Sequence, residues 1–185
     1  DARAENCLGQ KCAQFDRCFI TDMHRRAAES DIIIVNHHLF FADLAIKMAD
    51  VGRFFNCGQM CLGVKRLFLQ ESVAESFVGK LAEILKTKTV GNGASKETRM
   101  GPIHLESQRK EIEEQVEDAK ARGAKVIFGG ERAKGGELDK GFFYLPTLLT
   151  NVPDDARVSV EETFGPVLPV FTFKTLDEAL AKANS

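Results

Sequence analysis

The sequence predicts an α/β layer fold, and three observations carry that expectation. Ile32-Ile33-Ile34-Val35 is a β-branched run without alternation, the pattern of a strand buried on both faces as in a parallel sheet. Val73, Phe77, Leu81 and Leu85 recur at helical spacing. From there on, strand and helix patterns follow one another in a β-α-β-β-β-α order.

The elements read as follows. A helix is expected after Cys18, over His24 to Glu29, and Asn36-His37-His38-Leu39 closes the strand at 32 to 35. Leu67 to Gln70 is a strand, with Glu71-Ser72 as the cap of the helix that follows. Gly101-Pro102 punctuates. A second long helix carries Leu105, Ile112, Val116 and Ala119 as its apolar stripe and ends at Arg122-Gly123, a basic last turn with a glycine cap. Lys125 to Phe128 is a short strand before Gly129-Gly130. Phe142 to Leu149 is another, broken at Pro146. Val167 to Phe173 is a third, in which Pro169 argues for an edge or a bulge. Leu176 to Asn184 reads as a helix.

Composition excludes more than it selects. The 185 residues suit one ordinary domain, or a domain with an appendage. At 44% apolar and 28% charged the chain is globular in type. A net charge of −2 gives no global field for nucleic acid or anionic membrane. No apolar run is long enough for a bilayer, and no signal peptide is visible. The polar start at Asp1 and the stop at Ser185, just after a helix, read as cuts through a longer polypeptide. An odd number of cysteines, five, without disulfide-scaffold spacing favours a reducing cytoplasm.

Those cysteines fall into two clusters that suit different chemistries. Cys7, Cys12 and Cys18 stand in a C-x4-C-x5-C spacing suited to a metal cluster. A reading as three ordinary reduced cysteines is the alternative, and a zinc site using His24 or His37 is weaker still, for neither histidine has the short paired spacing such sites favour. Cys57 and Cys61 lie in a small-residue loop, Cys57-Gly58-Gln59-Met60-Cys61-Leu62-Gly63, ahead of a strand. Glycines there let a substrate approach the backbone, and a thiolate can attack a carbonyl whose developing oxyanion a backbone N–H holds. On spacing alone, Cys61 reads at least as well as a buried cysteine in a turn, and Glu161-Glu162 as a solvated surface pair.

Two resemblances sharpen these readings. Cys7 to Cys18, with Ala28-Glu-Ser-Asp-Ile-Ile-Ile-Val-Asn-His-His-Leu-Phe-Phe-Ala-Asp-Leu44, resembles DinG-type, XPD-related DNA helicases. That resemblance implies that Cys7, Cys12 and Cys18 are three of the four ligands of a [4Fe–4S] cluster. The chain holds no G-x-x-x-x-G-K-[ST] phosphate loop, no acidic box and no fourth cysteine in that cluster. Phe55-Asn-Cys-Gly-Gln-Met-Cys61, Lys65-Arg66, Gly101-Pro102, Gly141-Phe-Phe-Tyr-Leu-Pro-Thr147, Glu161-Glu-Thr-Phe-Gly-Pro-Val167 and Ala183-Asn184 resemble, in order, the aldehyde dehydrogenase superfamily. This second resemblance spans nearly all of residues 51 to 185.

It implies an incomplete aldehyde dehydrogenase-like catalytic domain over residues 48–185, with a short foreign helicase-like segment over residues 1–47. Cys61 is then the nucleophile, with Cys57 its neighbour. Glu162 binds the nicotinamide-side ribose hydroxyls of NAD or NADP, and Phe164 packs near the nicotinamide. The implied function is NAD(P)-dependent oxidation of a small-molecule aldehyde to a carboxylic acid through a cysteine thioester. The parent family is homo-oligomeric. The dinucleotide fold, the general-base segment and the oxyanion-side asparagine stand upstream of the nucleophile in the family, where helicase-like sequence stands here, so the chain is expected to be an inactive fragment or chimera. The alternatives are the iron–sulfur segment of an ATP-dependent DNA helicase and a non-catalytic α/β module. Residues 1 to 47 are expected to pack loosely or wrongly, since the strand at 32 to 35 has lost its sheet neighbours.

Overall fold

The computed structural model describes residues 32–35 and 42–184. In chain order these form β1 (Ile32–Val35), α1 (Ala42–Phe54), β2 (Arg66–Gln70), α2 (Glu71–Lys86), α3 (Glu106–Ala121), β3 (Lys125–Phe128), β4 (Thr147–Thr150), the single-turn α4 (Arg157–Val160), β5 (Val167–Phe173) and α5 (Leu176–Ala183). The strands make one sheet in the order β1-β2-β5-β4-β3. All neighbours are parallel except β3 and β4.

Helical periodicity explains each helix. In α1, Ile46, Ala49 and Arg53 lie at i, i+3 and i+7 and are all buried. In α2, Phe77, Leu81 and Leu85 form the buried stripe. Glu71 and Ser72 belong to the first turn of this helix and not to its cap. The cap is Gln70, which makes no side-chain bond, and Glu71 instead complements the positive end of the helix. In α3, Ile112, Val116 and Ala119 are buried, with Arg109 and Gln115 beside them. Leu105 is the extended residue before the helix and is exposed, so it falls outside the stripe. Gly123, at φ +102°, ends the helix as its sequence predicts.

Two strands depart from expectation at prolines. Of the stretch Phe142 to Leu149, only the part from Thr147 onward joins the five-stranded sheet, running on to Thr150, while Tyr144 makes an isolated antiparallel bridge with Arg132. Pro146 has no N–H to give, and the ladder starts immediately after it. Pro169 does not mark an edge, because β5 is the centre of the sheet. β5 pairs with β4 over Val167 to Pro169 and with β2 over Val170 to Phe173. Pro169 stands where one ladder hands over to the other, so its missing N–H falls at the end of a ladder and not within one.

The strand expected to be orphaned is not. β1 pairs with β2 over four consecutive residues, Ile32 with Arg66 through Val35 with Leu69. Helix α1 runs without interruption through residues 47 and 48 and packs on α2, β1 and β5. The expected helix at His24 to Glu29 lies outside the described residues.

This topology positions the functional loops. β2 and β5 are adjacent and parallel, so the chain enters both strands from the same end of the sheet. The loop before β2 carries Cys57 and Cys61. The loop before β5 carries Glu162 and Phe164. Both clusters of the second resemblance therefore lie at the same end of the sheet.

Candidate active site

The thiol loop begins where α1 stops. Residues Phe55–Gly58 continue as a tight turn in which Asn56 (φ 49°), Cys57 (φ 58°) and Gly58 (φ 70°) are successive left-handed residues. L-residues avoid this region, at a cost of about 1–2 kcal/mol each, and only glycine and, less readily, asparagine enter it routinely. The strain is fixed by contacts on both sides. Gln59 donates from Nε2 to Asn56 O (3.1 Å) and Pro102 O (3.1 Å), and its Oε1 accepts from the His104 N–H at 2.8 Å. Gly58 lies backbone to backbone against the loop before β5. A Cβ on Gly58 would sit 2.2 Å from the Gly165 carbonyl oxygen. Gly58→Ala is therefore expected to cost about 3 kcal/mol, combining a left-handed alanine with an overpacked contact. Chemical denaturation checks this, and a loss under about 1 kcal/mol would show that the two loops can separate freely.

The two cysteines of the loop are opposites. Cys57 is buried and Cys61 is exposed, and both are free thiols. Burial pushes the Cys57 thiol up to about 12, against a weaker opposing pull from the Arg53 guanidinium. At neutral pH Cys57 is a protonated core group. It follows that unfolding should be favoured progressively as pH rises from about 9, where an unfolded cysteine ionises, towards 12, where the folded one does. Stability is complete below that window and falls within it. A pH series of thermal melts with Cys57→Ala as the reference isolates this contribution, and parallel curves for the two proteins would contradict it.

Cys61 stands on the turn between the left-handed residues and β2, flanked by Met60 and Leu62. Beside it lies an apolar groove of about 480 Å³, whose walls include Met48, Val51, Phe55, Met60 and Leu62. Phe55, Val51 and Leu62 are all exposed there.

Two cations join the thiol loop to the loop before β5. Arg53 is fully buried. It donates to the carbonyls of Val64 (3.1 Å), Thr163 (2.7 Å) and Gly165, so one guanidinium links the end of α1 to both residues flanking Phe164. Burial lowers its pKa to about 10, with Cys57 and Glu162 pulling the other way, and it remains a cation at neutral pH. Lys65, just before β2, donates to Met60 O at 3.0 Å and pairs with Glu162 Oε1 at 2.9 Å. Its ammonium also lies 4.9 Å from the centre of the Phe164 ring. Gln108 of α3 holds the Phe164 carbonyl at 2.7 Å.

Lys65 thus links Glu162 and Phe164 to the carbonyl of Met60, the residue before Cys61. The roles of Lys65, Arg53 and Gln59 are absent from the sequence reading. Lys65 and Gln59 stand inside the quoted motifs, and Arg53 is a lone basic residue among Gly52, Phe54 and Phe55 at a helix end. That isolation is the signal that could have marked it. Cys7, Cys12 and Cys18, together with His24 and His37, lie outside the described residues. Among the described residues no group of three or more His, Cys, Asp or Glu could hold a metal ion, and no helix is long and apolar enough to cross a membrane.

Known proteins agree with this architecture. Human retinal dehydrogenase 2 is 41% identical over 143 residues, which is 77% of this chain and 27% of that protein. Mouse mitochondrial succinate-semialdehyde dehydrogenase is 42% identical over 144 residues, again 77% and 27%. The chain therefore spans about a quarter of the length of these relatives. Among solved structures, betaine aldehyde dehydrogenase from Staphylococcus aureus in complex with NAD+ superposes with a TM-score of 0.77 at 35% identity, over 85% of this chain and 30% of that one. A 3,6-anhydro-L-galactose dehydrogenase gives 0.80 at 34% identity, over 84% and 33%. The sequence pattern of the aldehyde dehydrogenase family matches residues 27–185, beginning upstream of β1 and crossing the boundary expected at residue 47, and the chain belongs to that family.

Proposed function

We propose that this chain supplies the thiol side of an NAD(P)-dependent aldehyde oxidation, with Cys61 as nucleophile and Glu162 and Phe164 at the nicotinamide end of the cofactor. One observation carries the reading. A single ammonium, Lys65, touches the residue before the exposed thiol, the Glu162 carboxylate and the Phe164 ring.

The residues fit such a cofactor. The Glu162 side chain is 60% exposed, so a ribose diol can reach a carboxyl acceptor paired with Lys65. Phe164 is half-buried and held through its carbonyl, which suits a fixed aromatic platform. Bound NAD(P)+ supplies the hydride acceptor. The chain's own part is the covalent one. The Cys61 sulfur adds to the aldehyde carbon, the C=O pair moves to oxygen, and that oxygen takes up the proton the thiol gives up, so a thiohemiacetal forms. Loss of hydride from that carbon to the bound acceptor and of the hydroxyl proton to solvent would leave a thioester on Cys61, which water would hydrolyse to the carboxylic acid and the free thiol. The apolar groove beside Met60 and Leu62 receives the aldehyde's carbon chain.

Site-resolved alkylation tests this. Iodoacetamide is expected to label Cys61 well ahead of Cys57, and millimolar aldehyde is expected to slow Cys61 labelling alone. Equal labelling of both thiols, or no slowing by any aldehyde, would remove Cys61 as the nucleophile.

A further inference from the structure

We propose that Lys65 is a positioning residue through which the state of the Glu162 carboxylate is felt at the Cys61 loop; this rests on the reading of Glu162 and Cys61 given above. Lysine has three donors on one nitrogen. One is taken by Met60 O, one by Glu162 Oε1, and the ammonium faces the Phe164 ring. Its side chain is only 19% exposed, so the ammonium is shielded on its own side, while its Glu162 partner, 60% exposed, stays open to solvent. Its backbone is anchored as well. The next residue, Arg66, opens β2 and ties α5 down through the carbonyls of Lys182 and Ala183, so the stem of Lys65 springs from a fixed point.

The consequence is a competition. A diol that engages Glu162 takes up the same carboxylate that Lys65 holds. Whatever hold Lys65 loses or shares there changes its bond to Met60 O, one residue before the thiol. The loop is poised to respond, because three of its residues sit in left-handed geometry and depend on contacts to stay there. Arg53 holds the same two loops together from the buried side, so Lys65 governs only the outer seam.

Cys57 is the built-in reporter. It is 1% exposed, so a thiol reagent reaches it only when the loop opens. Labelling of Cys57 is followed in the full chain with no aldehyde or cofactor present, beside thermal melts and amide exchange of α2. Lys65→Met removes the ammonium and keeps the stem. It is expected to speed Cys57 labelling about tenfold, the size of one lost charge-assisted bond, with α2 exchange unchanged. Glu162→Gln is expected to speed it about threefold in the native background and not at all in the Lys65→Met background, the non-additivity of residues acting through one contact. Lys65→Arg should restore most of the native rate. Additive effects of the two substitutions would overturn the proposal, as would unchanged Cys57 labelling in Lys65→Met or a rise matched by faster α2 exchange. Because no aldehyde is present, these outcomes stand apart from those that test Cys61 as the nucleophile.

Discussion

Replacing Arg53 by methionine is expected to cost about 4 kcal/mol of stability. Three buried carbonyls, those of Val64, Thr163 and Gly165, depend on this guanidinium. Hydrogen bonds to a charged donor contribute about 2 kcal/mol each, and each acceptor left behind is buried. Working against that loss, the substitution removes a desolvated cation that has no carboxylate within ion-pair distance among the described residues, a relief of about 2 kcal/mol. The bonds win because they number three and because they span two loops. For a chain of this size the thermal midpoint should fall by roughly 10 °C. Arg53→Lys should lie between, since an ammonium cannot reach all three carbonyls with a planar fork. Denaturant unfolding of the three proteins checks the order. A loss below about 1 kcal/mol for Arg53→Met would mean that the two loops are held without it, by the Gly58–Gly165 contact and the Lys65–Glu162 pair.

No aldehyde-dependent formation of NADH or NADPH above the Cys61→Ala background is expected from the 185-residue chain by itself. Hydride transfer requires the nicotinamide to be held against the thiohemiacetal carbon, and positioning of that kind is worth about 7–11 kcal/mol. On the reading proposed above, Glu162 and Phe164 hold only the nicotinamide end of the dinucleotide. A general base contributes a further factor of roughly 10²–10⁴, and among the described residues no hydrogen bond joins a carboxylate to Cys61. Both effects exceed what the nucleophile alone can offset. Absorbance at 340 nm with several aldehydes and either nucleotide makes the measurement. Turnover that disappears in Cys61→Ala would show that this chain, alone or in copies, assembles a complete site.

The sequence showed the parts of the fold that depend on periodicity. The stripe Phe77, Leu81, Leu85 and the glycine after α3 are written in local spacing, and both are found in place. The order of strands is not local. Nothing in the run Ile32 to Val35 says that its neighbour is β2, because parallel partners are chosen across a crossover and not across a turn. The resemblance of residues 28 to 44 to a helicase strand led the same way, towards a foreign segment, whereas the pairing with β2 depends only on a β-branched run and an open edge. Pro169 misled for a related reason. A proline argues against a central strand only if both ladders pass through it, and here each ladder covers a different half of β5.

The candidate site was legible in its residue types and not in its wiring. Cys61, Glu162 and Phe164 stood in quoted motifs about a hundred positions apart. What joins them is the parallel pairing of β2 with β5 and two cations whose partners are mostly backbone carbonyls. A carbonyl leaves no mark in the sequence, so neither Arg53 nor Lys65 could be assigned a role from composition or spacing. The difference between Cys57 and Cys61 was equally hidden. The two thiols are four residues apart; Cys57 lies within the left-handed turn and in the core, and Cys61 stands beyond that turn at the surface.

The most direct test of the central claim is to observe the carbon–sulfur bond. With an aldehyde labelled with carbon-13 at its carbonyl, Cys61 as nucleophile predicts a tetrahedral carbon resonance with a long-range correlation to the Cys61 β-protons. That signal should persist in Cys57→Ala and vanish in Cys61→Ala. An adduct carbon correlated to any other cysteine, or one unchanged in Cys61→Ala, would contradict the assignment.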